Sequence, residues 1–262
     1  MGAVREIMLN IMLSGCCGSM GRAVTAFADN RDDIKITAGI DREGRECRFP
    51  TFVSPFSFNG KVYVIIDFSS PAALPGLLEY AVSAKTPTVI ATTGLNEAHT
   101  ALIYKAAKEI PIFFSANMSL GINLLCELAK TAARVLGGTY DIEIVETHHA
   151  QKTDAPSGTA LMLADAISSE LERKPYYEYD RHLRRTKRPH DEIGIHSIRG
   201  GTAVGEHEII FAGYNETIKL SHCAQSKELF VAGAVNAAKF IQNKEPGLYG
   251  MSDMIDRKDA KK

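Results

Sequence analysis

The order of strand-like and helix-like segments in the first 117 residues is the feature that most limits the fold. Short β-branched or apolar runs, such as VYVIIDF and IPIFFSAN, alternate with segments of helical period, such as AALPGLLEYAVSA. This alternation is typical of βαβ units, in which parallel strands form one sheet and helices cover it. The sequence therefore predicts an α/β fold with a parallel sheet over this part of the chain.

Small or polar residues follow the predicted strands of this sheet, at Ser14, Asp41, Asp67, Thr92 and Asn117. In an open parallel sheet, ligands bind at the carboxyl ends of the strands. Since these ends meet at one edge of the sheet, the polar residues there predict a ligand site at that edge.

Three glycines, Gly15, Gly18 and Gly21, lie between the first predicted strand and the first predicted helix. Glycines at this point permit a tight turn and let backbone N–H groups approach a pyrophosphate at the helix N-terminus, although a plain turn explains the spacing equally well. Asp41, 20 residues after Gly21, favours a nucleotide, because an acid at the end of the second strand accepts hydrogen bonds from a ribose. Arg42 is suited either to a ribose 2′-phosphate or to a solvated surface position.

A different pattern follows Asn117. A long helix, NLLCELAKTAARVLGG, is followed by the strand YDIEIVETHH and the helix SGTALMLADAISSELER. Three runs, IGIHSIR, EHEIIFAG and ETIKLSHC, then alternate with the two-residue period of antiparallel strands, which indicates a second domain. We expect irregular structure at residues 42–60, an exposed loop in the basic stretch 174–192, and a charged tail after the helix ELFVAGAVNAAKFIQ.

The composition excludes several classes of protein. A formal charge of -1 gives no overall attraction to nucleic acid or to an anionic membrane, and no apolar run reaches the ~18 to 20 residues of a membrane span. The five cysteines are scattered and have no C-x-x-C spacing, which favours a reducing compartment and gives no metal motif. We therefore expect a cytoplasmic protein without a nucleic-acid or membrane partner.

The segment ETHHAQKTDAPSGTA, residues 146–160, concentrates two histidines, a lysine and small hydrogen-bonding residues. His148 and His149 are neighbours in a predicted strand and face opposite ways, so we expect no metal site here. A turn would bring the Lys152 ammonium back toward His148, and a histidine beside a cation is a better acid near neutral pH. Ser157-Gly158-Thr159 opens a helix, where N–H and hydroxyl groups bind a carboxylate, although helix capping by Asp154 or Ser157 explains part of the pattern.

The same segment resembles the active-site segment of the dihydrodipicolinate reductase family, whose members are now described as 4-hydroxy-tetrahydrodipicolinate reductases. The similarity extends to GCCGSMGR, IDFSSP, ATTG, SANMSLGIN, VGEH and HCAQSKELFVAGAV, and so covers nearly the whole chain. It implies a Rossmann-like parallel-sheet dinucleotide-binding domain, formed by residues 1–119 with 228–262. It also implies a smaller α+β substrate-binding domain, residues 120–227, whose open mixed sheet builds a homotetramer.

The resemblance implies roles for individual residues. His148 is the expected catalytic acid with Lys152 as its cationic partner, and the expected substrate contacts are His149, Ser157, Gly158 and Thr159. The implied reaction is NAD(P)H-dependent reduction of 4-hydroxy-tetrahydrodipicolinate, a cyclic dicarboxylate of the lysine and diaminopimelate pathway, to tetrahydrodipicolinate. The residues implied to line NADPH or NADH are Gly15, Cys16, Cys17, Gly18, Ser19, Met20, Asp41, Arg42, Ala91, Thr92, Thr93, Ser115, Ala116, Asn117 and Met118.

Two other functions stay open at this point. A nucleotide-binding regulator without turnover needs no proton donor, so the set of His148, Lys152 and Ser157-Gly158-Thr159 argues against it. A hydrolase with Ser157 as nucleophile lacks the usual G-x-S-x-G turn. Four residues differ from those frequent in the family and leave the choice between NADPH and NADH open: Cys17, Ser19, Ala91 and Met118.

Overall fold

The computed structural model describes residues 8–43, 47–182 and 184–255. The chain divides into two compact units. The first consists of the described residues up to Met118 and from Lys227 onward, and the second is Ser119–Ser226. The predicted charged tail beyond residue 255 lies outside the described residues. Within those ranges, no helix combines the length and apolarity that crossing a membrane requires.

A sheet of seven parallel strands forms the centre of the first unit, as predicted. With strands numbered in chain order, the sheet order is β12-β6-β5-β4-β1-β2-β3. The strands are β1 Leu9–Ser14, β2 Ile34–Ile40, β3 Thr51–Phe52, β4 Val64–Asp67, β5 Thr88–Ile90, β6 Pro111–Phe114 and β12 Gly247–Tyr249. The sequence did not predict β3 and β12, because two or three residues are too short to show a period.

Helices cover both faces of this sheet, which gives the Rossmann-like layering that the resemblance implies. They are α1 Ser19–Asp29, α2 Leu74–Ser83, α3 Glu97–Ala106, α6 Glu228–Ile241 and the short α7 Met251–Ile255. Successive residues of a strand face opposite sides of the sheet. On one side, Ile11 packs with Val24 of α1 and Val235 of α6. On the other side, Met12 packs with Leu77 of α2 and Ile103 of α3. Because helices cover both faces of the sheet, its central strands are buried on both sides and consist mainly of apolar residues.

The turn between β1 and α1 needs its glycines. Gly15 has a φ of +77°, a conformation that side-chain-bearing residues rarely adopt, and a Cβ on it would lie 2.6 Å from the Phe68 carbonyl oxygen. A Cβ on Gly21 would lie 2.6 Å from the Cys16 carbonyl carbon and nearer still to the Gly15 carbonyl oxygen. These two positions therefore let the first turn of α1 pack directly on the loop that follows β1.

The second unit is a five-stranded mixed sheet with the order β11-β10-β7-β9-β8. Its strands are β7 Asp141–His148, β8 Tyr176–Glu178, β9 Glu192–Arg199, β10 Gly205–Ala212 and β11 Thr217–Ala224. The prediction of antiparallel strands is right for β10, which runs antiparallel to β7 and β11, and wrong for β9, which runs parallel to β7. A two-residue period reports which residues share a face and carries no information on strand direction.

Two helices, α4 Leu120–Leu136 and α5 Gly158–Ser168, cover one face of the mixed sheet. Alternate residues of β7 and β10 point into this layer, where Ile142, Ile144, Ile209 and Phe211 are buried together with apolar residues of both helices. The other face carries residues such as Ile198, which is 50% exposed. One apolar face and one open face are the usual pattern for an antiparallel or mixed sheet outside a sandwich.

The basic stretch, residues 174–192, is only in part the exposed loop that its composition predicts. It contains the short strand β8, which the sequence did not indicate. The Arg188 guanidinium donates to Asp141 and Glu143 of β7 and to the backbone carbonyl oxygens of Ile142 and Glu192. Such forked hydrogen bonding is specific to arginine, so part of this basic charge holds the first residues of β7 and β9 together instead of facing solvent.

We expect alanine substitutions of two helical glycines to have opposite effects on stability. Gly21→Ala places a Cβ against backbone atoms that cannot move aside, and should lower the free energy of unfolding by about 1 to 3 kcal/mol. Gly76→Ala, in the exposed part of α2 with no atom within 4 Å, should raise it by up to about 1 kcal/mol. Urea denaturation followed by circular dichroism measures both changes, and equal effects would contradict the close packing at Gly21.

Candidate active site

A buried ionisable pair lies at the carboxyl end of β7. Along this strand, every second residue faces α4 and α5, and the apolar Ile142 and Ile144 are followed on the same face by Glu146 and His148. The Nδ1 atom of His148 lies 2.5 Å from Oε2 of Glu146. The alternation of the strand thus places a carboxylate beside the imidazole that the sequence predicts to be catalytic.

The carboxylate of Glu146 is fully buried and accepts hydrogen bonds from three elements. Arg199 at the end of β9 donates to both oxygens, each at 2.7 Å, and the backbone N–H of Ser157 donates at 3.0 Å. Burial alone would raise the pKa of Glu146, but the bonds from Arg199 and His148 outweigh it and lower the pKa to about 2. Glu146 is therefore ionised throughout the neutral range.

The ionised carboxylate fixes the proton on one nitrogen of His148. Because Glu146 can only accept, Nδ1 of His148 must donate to it, which leaves Nε2 as the nitrogen that exchanges a proton. Gly205, the first residue of β10, lies next to this atom: a Cβ on Gly205 would be 3.0 Å from Nε2. The absence of a side chain at Gly205 therefore leaves the room beside Nε2 that a reacting group needs.

A second buried histidine, His207 of β10, lies beside the pair. It is the register partner of Glu146, its ring meets that of His148 edge to face at 5.2 Å between centroids, and its Nε2 lies 3.1 Å from Oγ of Ser157. Burial, followed by the positive charge of His148, lowers the pKa of His207 to about 4. At neutral pH this imidazole is uncharged and acts as a polar wall of the site.

The predicted carboxylate cradle begins with a helix cap. Ser157 is the N-cap of α5, and its Oγ accepts a hydrogen bond from the Ala160 N–H at 3.1 Å. Its own N–H is already bound to Glu146. Gly158 is exposed, and its N–H makes no hydrogen bond within residues 8–43, 47–182 and 184–255. Within the predicted cradle, the unused donor is thus at Gly158, and Ser157 serves as a scaffold.

The Lys152 ammonium is paired with an acid two residues further along the chain, and its proposed role beside His148 stays a prediction. Its Nζ donates to both oxygens of Asp154, at 2.8 and 2.9 Å, and is not hydrogen-bonded to the His148 imidazole. The strand ends at His148, and His149 follows it with its N–H bound to the Ala203 carbonyl oxygen. The nearby acid at Asp154 is a better partner for the ammonium than an imidazole, because it is charged.

The first unit contains a cavity of about 410 Å³ at the carboxyl ends of β1, β2 and β4. Asp41 stands in its wall, where its carboxylate accepts hydrogen bonds from the backbone N–H groups of Cys17 at 3.3 Å and Glu43 at 3.1 Å. The side chain of Arg42, also in the wall, is 91% exposed. The lining residues are Ser14, Gly15, Cys17, Gly18, Ile40, Asp41, Arg42, Glu43, Val53, Phe68, Ser69, Ser70 and Ala73.

Only some of the predicted cofactor residues line this cavity. Those that do not are Cys16, Ser19, Met20, Ala91, Thr92, Thr93, Ser115, Ala116, Asn117 and Met118. The hydroxyl of Thr92 instead donates a hydrogen bond of 2.7 Å to the buried carboxylate of Asp67. The Ser69 hydroxyl donates a second hydrogen bond, of 2.6 Å, to the same carboxylate. Burial raises the pKa of the Asp67 carboxyl, and these bonds oppose that effect. The polar ends of β4 and β5 are thus bound to each other.

Four residues of the site were not predicted from the sequence: Glu146, Arg199, Gly205 and His207. The sequence could have predicted Glu146 beside His148, because residues two apart in a strand lie on the same face of the sheet. Gly205 and His207 lie in the run VGEH, and only the pairing of β10 with β7 shows that they lie beside His148 and Glu146. Arg199 follows from the parallel register of β9, which the sequence does not reveal.

A parallel sheet with a glycine turn, and a buried acid–base pair in a second unit, are the features expected of an NAD(P)H-dependent oxidoreductase. Comparison with known families supports this class. A profile described as "Dihydrodipicolinate reductase, N-terminus" matches residues 9–118, and one described as "Dihydrodipicolinate reductase, C-terminus" matches residues 121–255. The chain belongs to the dihydrodipicolinate reductase family.

Individual relatives agree with this assignment. A 4-hydroxy-tetrahydrodipicolinate reductase from Caldanaerobacter subterraneus subsp. tengcongensis is 49% identical over 251 residues, which are 96% of this chain and 100% of the relative. One from Clostridium botulinum is 47% identical, over 95% of this chain and 98% of the relative. Among solved structures, a dipicolinate-bound dihydrodipicolinate reductase from Paenisporosarcina sp. TG-14 has the same fold, with a TM-score of 0.78, 22% identity, and coverage of 95% of this chain and 100% of that chain.

The imidazole of His207 should make the free energy of unfolding depend on pH. Its folded pKa of about 4 lies below the ordinary value of 6.5, so between these values the unfolded chain binds more protons than the folded one. The free energy of unfolding should therefore fall as pH falls through this range, by up to about 3 kcal/mol. Urea denaturation at about pH 7 and pH 4.5 measures the change.

Two histidine variants serve as controls for this measurement. His207→Gln should flatten the dependence, whereas His182→Gln, at an exposed surface position, should retain it. Glu146 contributes only at lower pH, since its pKa is lowered from 4.5 to about 2. An unchanged slope in His207→Gln would show that another group carries the effect.

Proposed function

We propose that this chain reduces 4-hydroxy-tetrahydrodipicolinate to tetrahydrodipicolinate with NADPH or NADH, in the lysine and diaminopimelate pathway, and that His148 supplies the proton. The observation that carries the proposal is the buried Glu146–His148 pair, whose 2.5 Å hydrogen bond orients Nε2 toward the space beside Gly205. The nicotinamide ring, when bound, supplies the hydride. The dipicolinate in the Paenisporosarcina relative supports a cyclic dicarboxylate as the substrate.

In the proposed mechanism, Glu146 and Arg199 position the acid. The Glu146 carboxylate holds the Nδ1 proton of His148 and stabilises the positive charge that the imidazole carries before it donates from Nε2. Arg199 donates hydrogen bonds to both oxygens of the same carboxylate, so its positive charge weakens the stabilisation that Glu146 gives to a charged His148. The main contribution of Glu146 is therefore to orient the imidazole. His148 is the catalytic residue here, and Glu146 is a positioning residue.

The substrate carboxylates are proposed to bind at the start of α5 and at Lys152. The exposed N–H of Gly158 lies at the helix N-terminus, where the helix dipole favours an anion, and Thr159 follows it in the first turn. Lys152 is paired with Asp154, whose side chain is 57% exposed, and such an ion pair contributes only about 0 to 1 kcal/mol. A substrate carboxylate can therefore replace Asp154 at low cost, and His149 is proposed to contact the same substrate.

The cofactor is proposed to occupy the cavity of the first unit. The fit rests on the glycine turn, where a Cβ on Gly15 or Gly21 would collide with backbone, and on Asp41 at the end of β2. Gly15, Cys17, Gly18, Asp41 and Arg42 are the predicted residues that line this cavity. The remaining predicted cofactor residues are kept as proposals for contacts beyond the cavity.

Assembly and location are also proposed. The face of the mixed sheet opposite α4 and α5 carries partly exposed apolar residues, including Ile198 and Ile210, and supports assembly into a homotetramer through this sheet. Native mass spectrometry of the purified chain tests this, and a monomer would contradict it. All five cysteines are free thiols, which supports a cytoplasmic enzyme.

The activity is tested by following NADPH absorbance with the purified protein and the product of dihydrodipicolinate synthase. Absorbance should fall only when protein, NADPH and that product are all present. Cofactor binding without turnover would favour the regulator, and hydrolysis without any nicotinamide cofactor would favour the Ser157 nucleophile. Either result would overturn the proposed function.

The roles of His148 and Glu146 predict a loss of kcat with little change in cofactor binding. His148→Gln and Lys152→Ala should lower kcat by ~10² or more, the usual scale for loss of a general acid or its charge partner. Glu146→Gln should also lower kcat and should shift the pH dependence of kcat, because an amide no longer fixes the Nδ1 proton. His182→Gln is the matched control, and near-normal kcat in the site variants would refute the assignment.

The cofactor preference should depend on Arg42. The Asp41 carboxylate repels a 2′-phosphate and the Arg42 guanidinium attracts it, so both cofactors should work within roughly tenfold in kcat/KM, about 1.4 kcal/mol. Arg42→Ala should weaken NADPH use much more than NADH use, and the loss should shrink at high salt. Arg48→Ala, at an exposed position paired with Asp29, should change neither. Equal slowing of both cofactors by Arg42→Ala would place the 2′-phosphate elsewhere.

A further inference from the structure

Three cysteines come together beside the cofactor cavity, although Cys47 is 30 residues from Cys17 along the chain. Cys16 and Cys17 lie in the turn between β1 and α1, and Cys47 lies in the segment before β3. Sγ of Cys17 is 3.8 Å from Sγ of Cys16 and 3.6 Å from Sγ of Cys47, and all three sulfurs lie within 4.8 Å of one another. Cys17 lines the proposed cofactor cavity, but the proposed reaction gives no chemical role to any of the three thiols.

The geometry points to a thiolate site for a soft divalent metal ion, and we propose that Cys16, Cys17 and Cys47 bind Zn²⁺. In tetrahedral zinc sites the Zn–S distance is about 2.3 Å, which separates two sulfur ligands by about 3.8 Å. The two sulfur pairs centred on Cys17 already have this separation. Three protein sulfurs leave one position of the tetrahedron for a water molecule, as in open zinc sites.

A disulfide explains the cluster less well. A bond between Cys17 and Cys47 requires a sulfur–sulfur distance of about 2.05 Å, it leaves Cys16 without a role, and it needs an external oxidant. Burial raises the pKa of the Cys16 and Cys17 thiols, and their hydrogen bonds to neighbouring thiols affect them as well. A protonated thiol is a poor nucleophile, so the buried Cys16 in particular reacts slowly in disulfide exchange.

Because the thiols are protonated in the metal-free protein, metal binding must depend on pH. Each sulfur that binds Zn²⁺ loses its proton to solvent, so metal affinity must rise with pH. Burial excludes water from Cys16, which is 1% exposed, whereas Cys17 and Cys47 are half-buried. Gly39 provides the space for Cys16, since a Cβ on Gly39 would lie 2.6 Å from Sγ of Cys16.

Cobalt spectroscopy on the reduced full-length chain tests the proposal. Co²⁺ should bind with one equivalent per chain and give the sulfur-to-metal charge-transfer band and the visible bands of a tetrahedral thiolate site. Zn²⁺ should displace it, and a chromophoric chelator in competition should report an affinity that rises between about pH 6 and pH 8. Cys47→Ser should lower that affinity at least ~10-fold, while Cys126→Ala, which removes a buried thiol of the second unit, should not.

Labelling provides a second measurement that does not depend on activity. Zn²⁺ should protect Cys17 and Cys47 from iodoacetamide, as mapped by mass spectrometry, and should leave the exposed Cys223 reactive. Circular dichroism of Cys47→Ser checks that the variant is folded. Absence of the charge-transfer band in the wild-type chain, or an identical band in Cys47→Ser, would overturn the proposal. A cobalt spectrum without sulfur character would assign metal binding to the histidines of the second unit and would overturn it as well.

Discussion

The buried carboxylate of Glu146 ties together three elements of the second unit. Withdrawing an ionised carboxylate from water costs several kcal/mol unless donors replace the lost hydration. Here the donors are Arg199 of β9, His148 of β7 and the backbone of Ser157 at the start of α5. The same ion thus orients the proposed acid, fixes the N-terminus of a helix and holds the end of a neighbouring strand. Each of these elements depends on the others, because loss of one donor leaves buried charge unpaired.

The direction of β9 explains how Arg199 reaches this carboxylate. In the parallel register, Glu146 faces Ser197 and His148 faces Arg199, so the guanidinium stands at the strand end where the acid–base pair lies. An antiparallel β9 would carry residue 199 toward the opposite end of β7. The parallel pairing is available because α5 and β8 intervene between the two strands and provide the long crossover that parallel strands require. The site therefore depends on the direction of β9, which the two-residue period did not predict correctly.

Much of the fold follows from local pattern. The alternation of strands and helices, the glycine turn and the change of pattern after Asn117 are properties of neighbouring residues, and the sequence predicted them. The strands β3, β8 and β12 are two or three residues long and exist because a longer neighbour pairs with them, which no local period records. Within the site, the sequence predicted His148 from its neighbours. It could not show that Lys152 binds Asp154, because the choice between two nearby partners depends on the backbone path.

The density of polar residues between Glu146 and Thr159 has two causes that the structure separates. Several of them satisfy one another: Glu146 binds the Ser157 N–H, Lys152 binds Asp154, and the Ser157 hydroxyl caps α5. Nε2 of His148 and the N–H of Gly158 are among the groups that these bonds leave available. A misplaced proton donor loses most of its effect. An active site therefore needs more residues to position the acid than to take part in the reaction. Much of the crowded segment therefore supports the proposed acid and does not itself react.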